Sequence, residues 1–472
     1  MQCLAKSSIR RDTSPMNIWW IRRDLRLQDN QALQLTLQGS ADGLLPVFIL
    51  DPALLSAPAP NRQAFLWQGL RALDEQLRRR GSGLIVRTGP PLEVLSRLRA
   101  ETGAAQIVAE EDYTPSARRR DAAVAAALPL TLAGGLTVHH PAQVCKADGT
   151  PYTVFTPFSK AWKALPRPVS IALAPDRLPP LPTGLASDAL PEGQPAMRFV
   201  WQAGEVAAAQ RLADFLAGPI ADYADDRNRL DLDGTSTLSP YLRFGMISAR
   251  QAALAAWQAI EQGLGRGAET WLNELIWREF YQAILYHFPD VLQQAFNPSL
   301  RNIAWRDAPE DLRAWQEGRT GYPVVDACMR QLSGMGWMHN RGRMIVASFL
   351  VKDLLLDWRL GERWFMRWLV DGDPAANNGG WQWTAGVGTD AAPYFRIFNP
   401  LLQGQKFDPQ GDFVRRWLPE LRRVPTAYIH TPWLMPEDVQ AACGVRMGRE
   451  YPLPIVDHAA VRDRTLAAYR GR

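Results

Sequence analysis

The pattern of apolar residues changes character once along this chain, and that change limits the folds open to it. From residue 17 to about residue 140, apolar runs of strand length occur at Asn17–Ile21, Leu44–Leu50, Leu84–Arg87 and Gln106–Ala109. Amphipathic stretches at Asn61–Arg80, Pro91–Glu101 and Pro115–Ala127 lie between them. A βαβ series of this kind calls for a parallel sheet with helices on both faces. From Gly204 onward the period is helical, in Gly204–Leu216, Ser248–Gly263, Trp271–His287, Tyr322–Gly334, Met344–Asp357 and Gly361–Val370. Eleven prolines between Pro141 and Pro195, about four times the usual density, argue against regular helix or sheet there. The expected organisation is a loose basic tail over 1–15, with Met16 as a natural start, and a Rossmann-like α/β domain over 16–140. A Pro-rich connector follows over 141–203, whose segment Tyr152–Leu165 is apolar enough to pack on a neighbour. A large all-α domain over 204–472 completes the chain. The turn after the first strand reads Arg22-Arg23-Asp24-Leu25-Arg26 instead of GxGxxG, so the dinucleotide fingerprint is absent.

Composition removes several function classes. A net charge of +5 permits an anionic partner without demanding one. The four cysteines, Cys3, Cys145, Cys328 and Cys443, lie far apart and without metal spacing, which suits free thiols in a reducing compartment. There is no HExxH, so no metal site is expected. No run of about 18 apolar residues suggests a membrane span, and residues 1–15 lack the apolar core of a signal peptide. A protein of the cytoplasm is expected. Eighteen tryptophans are unusual, and most lie beyond residue 200. Large aromatics serve as core, as base-stacking platforms or as redox-active side chains, and only their positions can decide among these.

Four constellations can carry chemistry. Asp371–Trp383, DGDPAANNGGWQW, packs acids, amides, glycines and tryptophans together, and Pro374 with Gly379-Gly380 predicts a tight irregular connection there instead of a helix. On Trp271–His287, Glu274, Trp277, Arg278 and Tyr281 follow at i, i+3, i+4 and i+7, so they share one helix face. That mixture fits a pocket lining or a solvated ion-pair face. The same spacing recurs at Trp337, Asn340, Arg341 and Met344, with Arg343 on the adjacent face. In DGTSTLSPYLRF, Thr235, Ser236, Thr237, Leu238 and Ser239 form a hydroxyl-rich turn before Pro240, which predicts Ser239 as an N-cap. Such a turn suits a pyrophosphate, or is an ordinary cap.

Together these segments closely resemble the photolyase/cryptochrome family. The resemblance runs from about Asn17 to Leu421 and rests on an ordered set: WWIRRDLRLQDN, DGTSTLSPYLRFG, WLNELIWREFY, GYPVVDACMRQL, GWMHNRGRMIVASFLVKDLL, DGDPAANNGGWQW and YFRIFNP. It implies a helical domain holding FAD in a folded shape. Tyr223 and Thr235–Ser239 match the family's adenine-side and phosphate-side contacts. Trp271, Glu274, Arg278, Asn340, Arg343, Asp371, Gly372 and Asp373 match the remaining shell, and Asn377 the position beside flavin N5. Arg343 opposite Asp371 matches an ion pair beside the isoalloxazine, which would favour the reduced anion. Trp381, Trp358 and Trp305 match the electron-transfer tryptophans, inner to outer.

The positions above the flavin decide the subgroup. Glu274, Trp277, Asn340, Arg341, Met344 and Trp383 resemble the pocket of class I enzymes for cyclobutane pyrimidine dimers. Asn340 and Met344 stand where relatives acting on (6-4) photoproducts have histidines. Asn377 differs from the aspartate or cysteine of cryptochromes. The resemblance therefore implies light-driven repair of UV-damaged DNA, with the alternative a blue-light receptor that keeps FAD without repair. A helical DNA-binding protein without cofactor is the third reading. Contacts to DNA are implied for Arg227, Glu274, Trp277, Arg278, Tyr281, Asn340, Arg341, Met344, Trp383, Gln403 and Lys406. A second, antenna chromophore is implied in the N-terminal domain, where EEDYTPSARRRD (Glu110–Asp121) is closer to relatives taking a flavin or deazaflavin than a folate. No obligate protein partner is implied, and a monomer is expected. The fifty residues after Leu421 read as an ordered end of the helical domain.

Overall fold

The computed structural model describes residues 16–39, 43–192, 201–393 and 395–470; the tail over 1–15 lies outside them. The α/β region contains β1 (Asn17–Ile21), α1 (Gln31–Gly39), β2 (Leu44–Leu50), the short α2 (Pro52–Leu55) and α3 (Pro60–Arg79). It continues through β3 (Ile85–Thr88), α4 (Pro91–Thr102), β4 (Gln106–Ala109), α5 (Pro115–Ala127) and β5 (Leu130–Leu132). All neighbouring strands are parallel, in the order β3-β2-β1-β4-β5. Every residue of β1 and β2 is buried, which is why these strands read as continuous apolar runs without alternation. The short edge strand β5 and helix α1 were not legible: LTL is half exposed, and three residues carry no period.

The two faces of the sheet have different neighbours. Ile18, Trp20, Val47 and Ile107 pack with Val94, Leu95 and Leu98 of α4 and Val124 of α5. Trp19, Ile21, Phe48 and Leu50 join Phe65 and Leu70 of α3 in a core that runs on without interruption into the helical half, to Trp271 and Phe280.

The connector is not free of helix, as its prolines predicted. Phe155–Ala164 forms α6. Pro157 falls in its first turn, where no intrahelical N–H is lost. Phe158 and Trp162 are buried, and the Trp162 indole donates to Glu279 at 2.6 Å. The helical half then contains α7 (Glu205–Ala217), α8 (Pro219–Asp226), α9 (Ser239–Phe244), α10 (Ala249–Glu261) and α11 (Gly265–His287). It continues through α12 (Pro309–Glu317), α13 (Pro323–Met335), α14 (Asn340–Ser348), α15 (Trp358–Trp368) and α16 (Pro374–Ala385). It ends with α17 (Pro400–Phe407), α18 (Asp412–Trp417), α19 (Glu437–Cys443) and α20 (His458–Arg470). A second core gathers Trp315, Phe349, Leu350, Trp358, Phe365, Trp381 and Tyr469. Among the described residues no helix is long and apolar enough to cross a membrane.

Four expectations from local pattern are corrected. Residues 374–385 are helical, because Asp373 accepts hydrogen bonds from Ala375 N and Ala376 N and Pro374 supplies a pre-set first turn. The glycines fit inside this helix for a packing reason: a Cβ at Gly379 would lie 2.6 Å from Cγ of Tyr281 and closer still to two other atoms of its ring. Trp337 is not on α14. His339 caps that helix through Nδ1, which accepts from Arg341 N, so Trp337 precedes it. The helix expected over 344–357 instead starts at Asn340 and passes into a π turn at Phe349–Asp353. Ser239 is the first residue of α9 and not its cap; its hydroxyl accepts from the Trp337 indole at 3.2 Å.

Candidate cofactor and substrate site

Helix α16 organises the site. Its cap, Asp373, also accepts from Gln282 at 3.0 Å and pairs with Arg23 of the α/β region at 2.5 Å. Burial pushes the Asp373 carboxyl up, but Arg23, Arg243 and Arg278 outweigh it and hold the group far below the usual carboxylate range. One turn on, the Asn377 amide nitrogen donates to the Glu362 backbone oxygen and to Glu362 Oε1, both at 3.1 Å. A carboxylate only accepts, so it fixes which end of the amide faces it and leaves Asn377 Oδ1 for a ligand. Glu362 is thus a positioning residue that sequence patterning did not single out; burial raises its pKa, against that hydrogen bond and Arg363. Gly380, on the same face as Asn377, has nothing within 4 Å of where a Cβ would stand.

Around this helix lie polar groups that fit a cofactor. Arg343 pairs with Asp371 at 2.7 Å, as expected, while Asp371 Oδ1 is buried without a hydrogen-bond partner. Thr237 is buried, carries an unpartnered Oγ1 and holds a backbone φ of 48°, a conformation a β-branched residue rarely adopts. Arg211 fixes the adjoining turn by donating to the backbone oxygens of Thr235 and Ser236. Tyr223 and Trp271 are buried and both pack against Phe215. Arg243 donates to the Gly372 oxygen at 2.7 Å. A buried orphan acceptor, a strained hydroxyl and an open space beside a helix glycine are what a bound polar cofactor would satisfy and fill.

The expected substrate residues are brought together in part. Arg341, Met344, Trp383, Gln403 and Lys406 line one cavity of about 460 Å³, a size within the range of ligand sites. Arg396, Phe398 and Asn399 complete it and were not singled out by sequence. Asn340 is exposed beside Met344, with Nδ2 and Sδ 4.0 Å apart. Arg341 donates to Asn228 at 2.6 Å and lies over the Phe407 ring at 4.5 Å. The Gln403 oxygen and Arg341 Nε are buried without partners. The α11 face is more divided than its spacing suggested. Glu274 pairs with Arg227 at 2.8 Å, and its pKa is raised by burial against that guanidinium. Trp277 is stacked flat on Phe155 of α6, with 3.7 Å between ring centres. Arg278 turns inward and donates to the Leu136 oxygen at 2.7 Å, and Tyr281 packs against Gly379.

The three aligned tryptophans are graded in exposure. Trp381 and Trp358 are buried, and Trp305 is half-buried with its ring edge-on to Tyr469 at 6.0 Å. Trp381 lies on Gly361, one turn along α15 from Trp358. Its ring is flanked by Phe365 at 5.0 Å and by Trp315 at 6.1 Å; Trp315 carried no signal in the sequence.

A parallel α/β layer packed against a helical half, with this polar lining, fits a protein that holds a nucleotide cofactor. Residues 17–182 match the family model for DNA photolyase, and residues 271–471 match the FAD binding domain of DNA photolyase. A deoxyribodipyrimidine photo-lyase of Salmonella typhimurium is 42% identical over 96% of this chain and 98% of that protein. The crystal structure of a bacterial class III photolyase from Agrobacterium tumefaciens superposes with a TM-score of 0.93 at 39% identity, covering 98% of this chain and 99% of that one. An archaeal photolyase from Sulfolobus tokodaii with two FAD molecules gives a TM-score of 0.79 at 31% identity, over 97% and 100% of the two chains. The chain belongs to the DNA photolyase family, and it is a photolyase enzyme with FAD as cofactor. The class I assignment expected from the pocket residues is not supported, since so close a structural match is a class III enzyme.

Proposed function

We propose that this enzyme repairs cyclobutane pyrimidine dimers in DNA under light. The observation that carries the reading is the cavity of Arg341, Met344, Trp383, Gln403 and Lys406, which joins aromatic, apolar and cationic walls in one place. Arg341, Arg396 and Lys406 supply positive charge for the phosphates flanking an extruded lesion. Extrusion costs a few kcal/mol, less for an already distorted site. Trp383 offers an indole face to the bases. Trp277, with one face covered by Phe155, contributes its remaining surface. Glu274, raised by burial and paired with Arg227, has the role of hydrogen-bonding a pyrimidine edge and stabilising charge developing there. Asn340 and Tyr281 complete the rim.

FAD is held through Asp371 Oδ1, Asn377 Oδ1, Thr237 Oγ1 and the turn of Thr235, Ser236, Leu238 and Ser239, with Tyr223, Trp271, Arg278, Arg343, Gly372 and Asp373 around them. Bound in its reduced anionic form, FAD would lend a photoexcited electron to the dimer and take it back once the cyclobutane ring has opened, so that no net redox change results. Trp305, Trp358 and Trp381 connect the surface to the centre and serve to restore the reduced state. The proposal includes a flavin-type antenna in the α/β region and a monomer acting in the cytoplasm.

The test is direct. Protein carrying reduced FAD is illuminated with blue light in the presence of an oligonucleotide containing one dimer. Loss of the dimer is expected, and Glu274→Ala is expected to lower the yield per photon while FAD stays bound. Persistence of the dimer with FAD and DNA both bound would favour a receptor instead.

A further inference from the structure

The turn Asp371–Gly372–Asp373 is surrounded by more guanidinium than carboxylate. Arg23 pairs with Asp373 at 2.5 Å and with Asp112 at 3.5 Å, and Arg343 pairs with Asp371 at 2.7 Å. Three further arginines reach the same place without an ion-pair partner of their own among the described residues. Arg62 of α3 donates to the Met366 and Leu369 oxygens at 2.7 and 3.0 Å. Arg243 donates to the Gly372 oxygen, and Arg278 to the Leu136 oxygen. Five guanidiniums thus face three carboxylates. Glu279, the next acid beside Arg278, is itself pushed up to about 7 by burial, against its hydrogen-bond donors and Arg278. At least one positive charge is therefore unmatched near neutral pH, and two when Glu279 is protonated.

Buried positive charge in surplus is costly unless an anion joins it. The cost is visible in Arg243, pushed down to about 9 by burial first and then by Arg23 and Arg62, and in Arg62, pushed down to about 10 by burial. Both remain charged at neutral pH. The carbonyl end of α15 offsets part of the charge on Arg62. Arg243 has the Gly372 carbonyl and the Phe244 ring, 5.6 Å away, and no carboxylate paired to it among the described residues. Arg343, Arg243 and Arg23 touch Asp371, Gly372 and Asp373 in turn, and Arg62 Nη1 stands beside Gly372; these are the residues set against FAD in the proposed site. FAD carries a diphosphate, and its reduced ring adds a further negative charge.

We infer that Arg23 and Arg62 of the α/β region, with Arg243, form the outer electrostatic wall of the FAD site. Acting through the Asp371–Asp373 turn, they hold the anionic cofactor and favour its reduced state. The α/β region is then part of the cofactor's binding field, outside the segment 271–471 that matches the FAD-binding model. The inference rests on the placement of FAD under Proposed function.

The experiment compares Arg62→Gln and Arg243→Gln with Arg62→Lys and Arg243→Lys in the full chain. FAD affinity of the apoprotein is read by fluorescence titration, and the midpoint potential of bound flavin by spectroelectrochemistry. Unfolding of each apoprotein by denaturant checks that the variants are folded. Each Gln variant is expected to bind FAD about tenfold more weakly, the order of effect of removing one charge from a protein interior. Its potential moves to more negative values, and the Lys variants keep most of both. Equal loss in Gln and Lys variants, or loss in neither, overturns the inference. Failure of the wild-type chain to bind FAD would instead strike the placement on which it rests.

Discussion

Replacing Gly361 by alanine sets two effects of opposite sign against each other. Within the middle of α15, Gly→Ala gains about 1 kcal/mol in helix propensity. The added methyl, however, would stand 2.6 Å from Cζ2 and Cζ3 of Trp381 and closer still to Cη2. An ordinary carbon contact is about 3.5 Å, so the indole must retreat by roughly an ångström or α15 must separate from α16. Trp381 is 2% exposed and closed in by Phe365 and Trp315, so little room exists for it to yield. Overpacking of this kind costs about 1–3 kcal/mol, and the net expectation is a loss of up to about 2 kcal/mol. Urea unfolding of wild type and variant measures it. Gly380→Ala is the control: it carries the same propensity gain with nothing within 4 Å, so the apoprotein should become more stable. Because Trp381 is the inner tryptophan of the proposed relay, Gly361→Ala should also slow photoreduction of bound FAD. A Gly361→Ala protein more stable than wild type, with photoreduction unchanged, would refute the tight α15–α16 contact on which the reasoning stands.

Two further outcomes follow from the site. Trp305→Phe should impair photoreduction under light with an external donor, yet spare dimer repair once FAD has been reduced chemically; equal photoreduction in both proteins would remove Trp305 from the relay. Glu279 has a folded pKa raised to about 7 by burial, so its favourable contribution is complete below the unfolded value near 4.5 and is lost as pH rises through 7. The stability of wild type minus that of Glu279→Gln should therefore fall by about 3 kcal/mol between pH 4.5 and 8, and a pH-independent difference would contradict the shift.

Much of the fold could be read locally. The runs at Asn17–Ile21, Leu44–Leu50 and Gln106–Ala109 coincide with strands because, apart from a polar first residue at Asn17 and Gln106, each is apolar and buried. Pro91 and Pro115 mark helix starts because proline tolerates only the first turn. The site was legible as a set of residue types in order, and Arg343 with Asp371 is the pair that order implied. What the pattern missed has one character. Gly379-Gly380 signalled a break, yet α16 continues through them, because Tyr281 occupies the space of a side chain at Gly379. Phe155 covers Trp277 from a connector whose prolines argued against any helix.

Residue type, period and motif order in the sequence alone determined the α/β-then-helical architecture, the family and the candidate side chains, since each depends on neighbours within a turn or a strand. Tertiary structure decided which partner each charged or aromatic group takes. Arg23 and Asp373 lie 350 positions apart, and no local period carries information over that span; only packing of the sheet against the helical half brings that guanidinium to the cap of α16.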